Sequence, residues 1–448
     1  MESIELKSIA DSNGVLNLST PLDQGHTELG TEDEPSLRQA IAIEEQTNGA
    51  EHPNVARGLN DLAQLLQDEN RLTEAEPLMR RALAIDEQTY GADHPQVARD
   101  LNNLAQLLQD ENRLAEAEPL MRRALAIDEQ SYGTDHPDVA VALNNLALML
   151  QATNRLTEAE PLMRRALAVD EKSYGADHPD VAIDLNNLAA LLKATNRLTE
   201  AEPLMRRALA IDEQAYGADH PDVAIDLSNL AALLKAGNRL TEAEPLMRRA
   251  LVIDEQSYGA DHPDVASALN NLAQLLQDTN RLTEAEPLMR RALAIEEQAY
   301  GAEHPAVAIA LNNLAALLKE TNRLTEAEPL MRRARAIDEK AYGAEHPRVA
   351  IDLNNLAALL QATNRLSEAE PLMRHALVID EKCYGAEHPN VAIRLNNLAE
   401  LLQATNRLTE AEPLMRRALT IFVNRLGNEH PNSVVVRNNH QAILKELG

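Results

Sequence analysis

The stretch PDVAIDLNNLAALLKATNRLTEAEPLMRRALAIDEQAYGADH, Pro179 to His220, decides the fold, because close copies of it fill the chain. His-Pro pairs mark the copies. His52, His94, His136, His178, His220, His262, His304, His346, His388 and His430 follow one another at a constant interval of 42 residues. Equal intervals without insertion or deletion define a tandem array.

Each copy reads as two helices. The first opens at His-Pro, where proline suits the first helical position because its missing N–H has no partner to lose. Val181, Leu185, Leu188, Ala189, Leu191 and Leu192 then form an apolar stripe at helical spacing. The run Thr195-Asn196-Arg197-Leu198 breaks it. The second helix is expected to start at Thr199, with Glu202 completing a capping box and Pro203 in the first turn. Ala201, Leu204, Met205, Ala208, Leu209 and Ile211 form its stripe, and Gly217 is expected to end it as a left-handed cap. Neither helix can bury its stripe alone, so copies must stack. Ten His-Pro starts and ten second-helix starts, from Thr31 to Thr409, give about twenty helices.

Composition narrows the function classes. The 42 Lys+Arg stand against 71 Asp+Glu, a net charge of −29. That charge opposes both nucleic acid and anionic membranes. No apolar run approaches the roughly 18 residues of a membrane span. The N-terminus lacks the basic and apolar regions of a secretory signal, so the expected compartment is the cytoplasm. A single cysteine, Cys383, allows no internal disulfide and no zinc ribbon.

The unit resembles the tetratricopeptide repeat. Leu59, Leu62, Ala63 and Leu66 match the W-x2-L-G-x2-Y pattern of that family's first helix, and Ala75, Met79 and Ala82 match A-x3-F-x2-A of its second. The long period, LNNLA, EAEPLxxRAL and G-x-[DE]-H-P make it similar to the kinesin-light-chain-like branch. The resemblance implies an all-α, right-handed α-solenoid of stacked helix-turn-helix units, with the first helices lining a concave groove. It also implies protein–protein contacts, without naming a partner.

Comparison among the copies points to a surface. One first-helix slot varies as Gln64, Gln106, Leu148, Ala190, Ala232, Gln274, Ala316, Ala358 and Glu400. Another carries Gln or lysine, with Lys193, Lys235 and Lys319 in the middle copies, where they would favour an acidic or C-terminal carboxylate ligand. A third slot holds Asn60, Asn102, Asn144, Asn186, Asn270, Asn312, Asn354 and Asn396, with Ser228 the exception. Asn is a mediocre helix former, so keeping it mid-helix requires a reason. A groove-facing ladder of amides could pair with the backbone of an extended peptide. Alternatively, the amides bridge helices inside the core.

No catalytic or metal constellation emerges. Equivalent histidines in stacked copies stand about 16–20 Å apart, given helix spacings of about 8–10 Å, so each is expected to fix the turn into its first helix instead of binding metal. Glu202 and Arg206 form an i,i+4 surface pair. The expected protein is therefore a non-enzymatic scaffold without cofactor, holding a peptide or partner protein in the concave groove. The alternative is a self-associating structural array, or the sensor or regulatory arm of a bacterial signalling system. The expected divisions are a degenerate or disordered segment at 1–30, the array at 31–430 and a capping helix at 431–448. In that last helix Arg437, His440 and Gln441 replace stripe residues.

Overall fold

The computed structural model describes residues 33–448; the expected N-terminal segment 1–30 and the Thr31 start lie outside them. Among the described residues there are twenty helices and no strand. The first helices of the repeats are α2 (Pro53–Asp68), α4 (Pro95–Asp110), α6 (Pro137–Ala152), α8 (Pro179–Ala194), α10 (Pro221–Ala236), α12 (Pro263–Asp278), α14 (Pro305–Glu320), α16 (Pro347–Ala362), α18 (Pro389–Ala404) and α20 (Pro431–Leu447). The second helices are α1 (Glu34–Asn48), α3 (Leu72–Tyr90), α5 (Leu114–Tyr132), α7 (Leu156–Tyr174), α9 (Leu198–Tyr216), α11 (Leu240–Tyr258), α13 (Leu282–Tyr300), α15 (Leu324–Tyr342), α17 (Leu366–Tyr384) and α19 (Leu408–Leu426). The described chain forms two compact units, 33–191 and 192–448, divided within α8. Both are built the same way.

Three turn devices set the period. At each first helix His is the N-cap and its Nδ1 accepts the backbone N–H two residues on, as from Asp138 to His136 at 3.2 Å and from Asp264 to His262 at 3.3 Å. Eight of these imidazoles, from His94 to His388, stack on the tyrosines that end the preceding helix, with ring centroids 4.5–4.7 Å apart, for example Tyr132–His136 at 4.5 Å and Tyr90–His94 at 4.7 Å. Between helices of one repeat, an asparagine takes a left-handed conformation: Asn154 has φ 56°. The next N–H, of Arg155, then reaches back to the Leu150 carbonyl at 2.8 Å and closes the first helix. Gly217 does have positive φ, at 94°, but its ψ of 159° places it in the mirror-extended region and not in a left-handed helical cap. That region is essentially reserved for glycine.

The second helices depart from the expected capping box. From α3 to α19 they begin one residue earlier, at leucine, with Arg197 as the N-cap of α9 and no side-chain cap bond, whereas α1 begins at Glu34 behind Asp33. Thr199 is therefore inside the helix and Pro203 lies in its second turn. The competing interaction is ionic. Arg239, the N-cap of α11, sits 2.7 Å from Glu242 in its own first turn and 2.7 Å from Glu202 of the preceding second helix. Glu202 also takes the expected pair with Arg206, at 2.8 Å. The carboxylate assigned to the box is spent on two guanidiniums.

The stripes pack as the spacing demands. In the 192–448 unit, Val223, Ala224 and Leu227 of α10 are buried against Ala250 and Ile253 of α11, with Leu209 of α9 and Leu246 alongside. In the 33–191 unit, Val139, Ala140 and Leu143 of α6 meet Ala166 and Val169 of α7, with Leu125 of α5. Each core thus draws on three consecutive helices, and each fully buried Leu, Ile or Val contributes about 1.5–3 kcal/mol. The last repeat ends differently: His440 Nε2 lies 3.0 Å from Glu412, and Arg437 donates to the Asn428 carbonyl at 3.0 Å.

Burial makes three of these caps, His304, His346 and His430, acid-sensitive, most clearly His346. Burial first, and Arg348 second, hold its pKa down at about 4 from an ordinary 6.5. The unfolded chain takes up the proton first, so the stability this group contributes is complete above 6.5 and is lost as pH falls toward 4. His346→Ala should lower neutral-pH stability by about 0.5–2 kcal/mol. In urea unfolding, its deficit relative to the wild type should narrow as pH falls through that window.

Candidate functional site: the inner face of the first helices

Within each unit, neighbouring first helices approach each other, as α4 and α6 do, and α10, α12, α14 and α16 in succession. Neighbouring second helices make no comparable approach among the described residues. The first helices therefore take the inner side of each unit's local bend. Along α8, positions 183, 190 and 193 share this side with the two asparagines at 186 and 187. The variable slot differs in access: Ala316 and Gln64 are exposed, Ala232 and Gln106 are half-buried, and Ala190 is buried.

The lysine slot reaches along this face to the next first helix. Lys235 Nζ lies 2.9 Å from Asp278, Gln67 Nε2 donates to Asp110 at 2.6 Å and Gln403 Nε2 donates to Glu446 at 2.8 Å. Part of the positive charge expected for a ligand is thus matched within the protein. Lys193 is half-buried, and its pKa is pushed down by burial first and by Lys235 second. Lys319 is also half-buried.

The asparagine slot lies deeper than a free ladder would. Asn60, Asn144, Asn186, Asn270 and Asn396 are buried, while Asn102, Asn312 and Asn354 are half-buried. Asn60 Nδ2 donates to Asp100 at 2.7 Å and Asn312 Nδ2 to Asp352 at 2.6 Å; Asn144 makes the same bond to Asp184. Each bond joins a first helix to the next first helix, 40 residues on. Near the C-terminus the pattern changes: Asn397 Nδ2 donates to Asn354 Oδ1 at 2.9 Å, and Asn396 Nδ2 lies 3.0 Å from Glu400 Oε1. Their amide groups connect repeats, which sequence spacing within one helix could not show.

The acceptors belong to a second feature that sequence reading missed. Every second helix from α3 to α17 buries an acid near its end: Asp86, Asp128, Asp170, Asp212, Asp254, Glu296, Asp338 and Asp380. In four repeats it meets a buried aspartate of the following first helix: Asp100, Asp184, Asp226 or Asp352. Burial first, and the paired carboxylate second, raise Asp184 and Asp352 well above the ordinary carboxylate range. Where alanine stands opposite, at 142, 268 and 310, a single acid remains, and burial lifts Asp128, Asp254 and Glu296 to about 7. Where arginine stands opposite, Arg394 Nε bonds Asp380 at 2.9 Å in a fully buried ion pair.

This geometry assigns a structural cost to the asparagines. Asn144→Ala and Asn312→Ala should each lower stability by about 1–3 kcal/mol, since each removes the donor to a buried carboxyl oxygen. Chemical unfolding of the double variant would check it; unchanged or raised stability would return the amides to a purely ligand-facing role.

Among the described residues, no group of three or more His, Cys, Asp or Glu could hold a metal ion, and no helix is long and apolar enough to cross a membrane. Cys383 is half-buried, with Sγ 3.4 Å from the Glu345 carbonyl. A comparison with curated proteins finds no match. Among solved structures, the chain is similar to a kinesin light chain candidate from Podosopora anserina built of nearly identical TPR-like repeats. That match has 25% identity, 46% of this chain and 97% of that one covered, and a TM-score of 0.40. It is also similar to BtubC (BKLC) from P. vanneervenii, at 23% identity, 53% and 92% coverage and a TM-score of 0.41. A Rap protein complexed with competence and sporulation factor aligns at 15% identity, 78% and 98% coverage and a TM-score of 0.48. The family model described as tetratricopeptide repeat matches in overlapping segments, from 34–88 through to 348–424. With helix pairs repeating at the same period over the same residues, the chain belongs to the tetratricopeptide repeat family.

Proposed function

We propose that the protein is a non-enzymatic cytoplasmic scaffold that holds an extended peptide or partner segment along the inner face of its first helices. The observation that carries this reading is the placement of the copy-to-copy variation. The second helices cover their exposed faces with repeated Arg–Glu pairs, such as Arg281–Glu244 and Arg323–Glu286, both at 2.8 Å. The inner slot instead changes among Gln, Leu, Ala and Glu from repeat to repeat. A surface that differs along an otherwise uniform array can distinguish one ligand segment from another. Lys193, Lys235 and Lys319 would draw an acidic stretch or a C-terminal carboxylate to the middle repeats, against a negative global field. The asparagines that follow the slot asparagines in sequence, half-buried at 103, 271, 313 and 355, would contribute where they border this face, and α20 would close the array as its cap.

Glutamate already occupies the variable slot at position 400, so Ala232→Glu and Ala316→Glu are tolerable in the fold. Peptides selected from a displayed library against the full chain should lose about tenfold or more in affinity for this double variant, roughly 1.4 kcal/mol. Ala210→Glu and Ala294→Glu, at exposed second-helix positions, should leave binding unchanged. Fluorescence anisotropy decides between them: equal losses in both pairs, or none in the inner pair, would reject the inner face as the site.

A further inference from the structure

The buried carboxyl pairs differ from every other polar contact between repeats, because their chemistry is incomplete as drawn from protein donors alone. Asp170 Oδ1 and Asp184 Oδ2 are both buried and meet no hydrogen-bond donor, although the two carboxyl groups are in hydrogen-bond reach of each other. The same holds for Asp338 Oδ1 with Asp352 Oδ2 and for Asp86 Oδ1 with Asp100 Oδ2. Two buried carboxylates cannot face each other as bare acceptors; a proton between them supplies the missing donor.

We propose that these three repeat-to-repeat joints are proton-gated: each is closed while its carboxyl pair shares a proton and loosens when that proton leaves, whereas the Asp380–Arg394 joint is ungated. Burial as the leading cause of the raised pKa values in these pairs agrees with that geometry. The surroundings differ by joint. Asp180 on α8 and Tyr174 on α7 stand near the Asp170–Asp184 pair, and Asn144 on α6 donates to it. Arg348 on α16 stands near Asp338–Asp352, with Asn312 on α14 donating. Arg99 and His94 face Asp86–Asp100, with Asn60 donating. The acid at 180 opposes ionisation of its pair, whereas Arg348 and Arg99 ease it. At the Asp380 joint Arg394 supplies a permanent donor and charge, so no proton is needed.

The sign follows from linkage. A carboxyl whose pKa is raised by folding stabilises the joint fully at low pH and ceases to do so as pH rises through the folded value. Because each pair releases one proton, local opening should become more favourable by up to about tenfold per pH unit above that value.

Hydrogen exchange of the full chain, compared between about pH 6 and about pH 9 after correction for intrinsic exchange, tests this directly. Amides of α8 and α16 should lose protection as pH rises, while those of α18 should not. Asp184→Asn with Asp352→Asn should abolish the loss at α8 and α16. Should the amides fail to fold there, Asp184→Arg with Asp352→Arg serves, since arginine fills that slot at position 394 and supplies a permanent donor. Arg394→Asp should transfer pH-dependent opening to α18. Infrared difference spectra between the wild type and the asparagine variants should show less protonated carboxyl signal in the variants at neutral pH. Protection at α8 and α16 that is independent of pH, a loss shared equally by α18, or the absence of protonated carboxyl signal would overturn the proposal.

Discussion

Everything in this chain follows from a two-helix unit that cannot cover itself. A first helix packs on the second helix of its own repeat, on the preceding second helix and, more lightly, on neighbouring first helices. Little of it remains for water: along α8, Val181, Ala182 and the run from Asp184 to Leu192 are buried. The joint between repeats is therefore the core, and any polar group placed there must be satisfied by the next copy or carry its own proton. Asparagine at 144 and aspartate at 184 make sense only together, and only across a joint.

The turns exist to hold that joint in register. Histidine caps the first helix through Nδ1 and stacks on tyrosine; asparagine in a left-handed conformation closes it; glycine with ψ near 160° lets the chain leave the second helix. An insertion in any of them would shift one stripe against the next. The constant interval of 42 residues is the sequence record of this requirement.

What could be read beforehand was local or periodic. The His-Pro starts, the apolar stripes and the glycine stops depend on residues a few positions apart, and the helices fall where those signals put them. The features that local reading misses depend on residues 14–40 positions away. Thr199 with Glu202 is a sound local capping box, but Arg239, 37 residues beyond Glu202, offers its carboxylate a charged partner. The asparagine slot looked like a groove ladder because Asp184, 40 residues after Asn144, gives no local sign of pointing back at it. The comparison among copies held one usable signal: the slot of Asp100 and Asp184 reads Arg at 394 and Ala at 142, a change of charge that an exposed position would not need to match with a constant acid 14 residues earlier.

That alternation separates two kinds of variation within near-identical copies. At the inner slot, Ala, Gln and Glu interchange on a face that water reaches, and each change alters only what a partner would meet. At the joint slot, Asp, Ala and Arg interchange in a place that water does not reach, and each changes how one repeat holds the next: by a shared proton, by a single buried acid or by an ion pair. The second-helix acid stays constant through all three, so the first-helix residue alone selects the kind of joint. An array with a uniform exterior can in this way carry joints of different chemistry along its length.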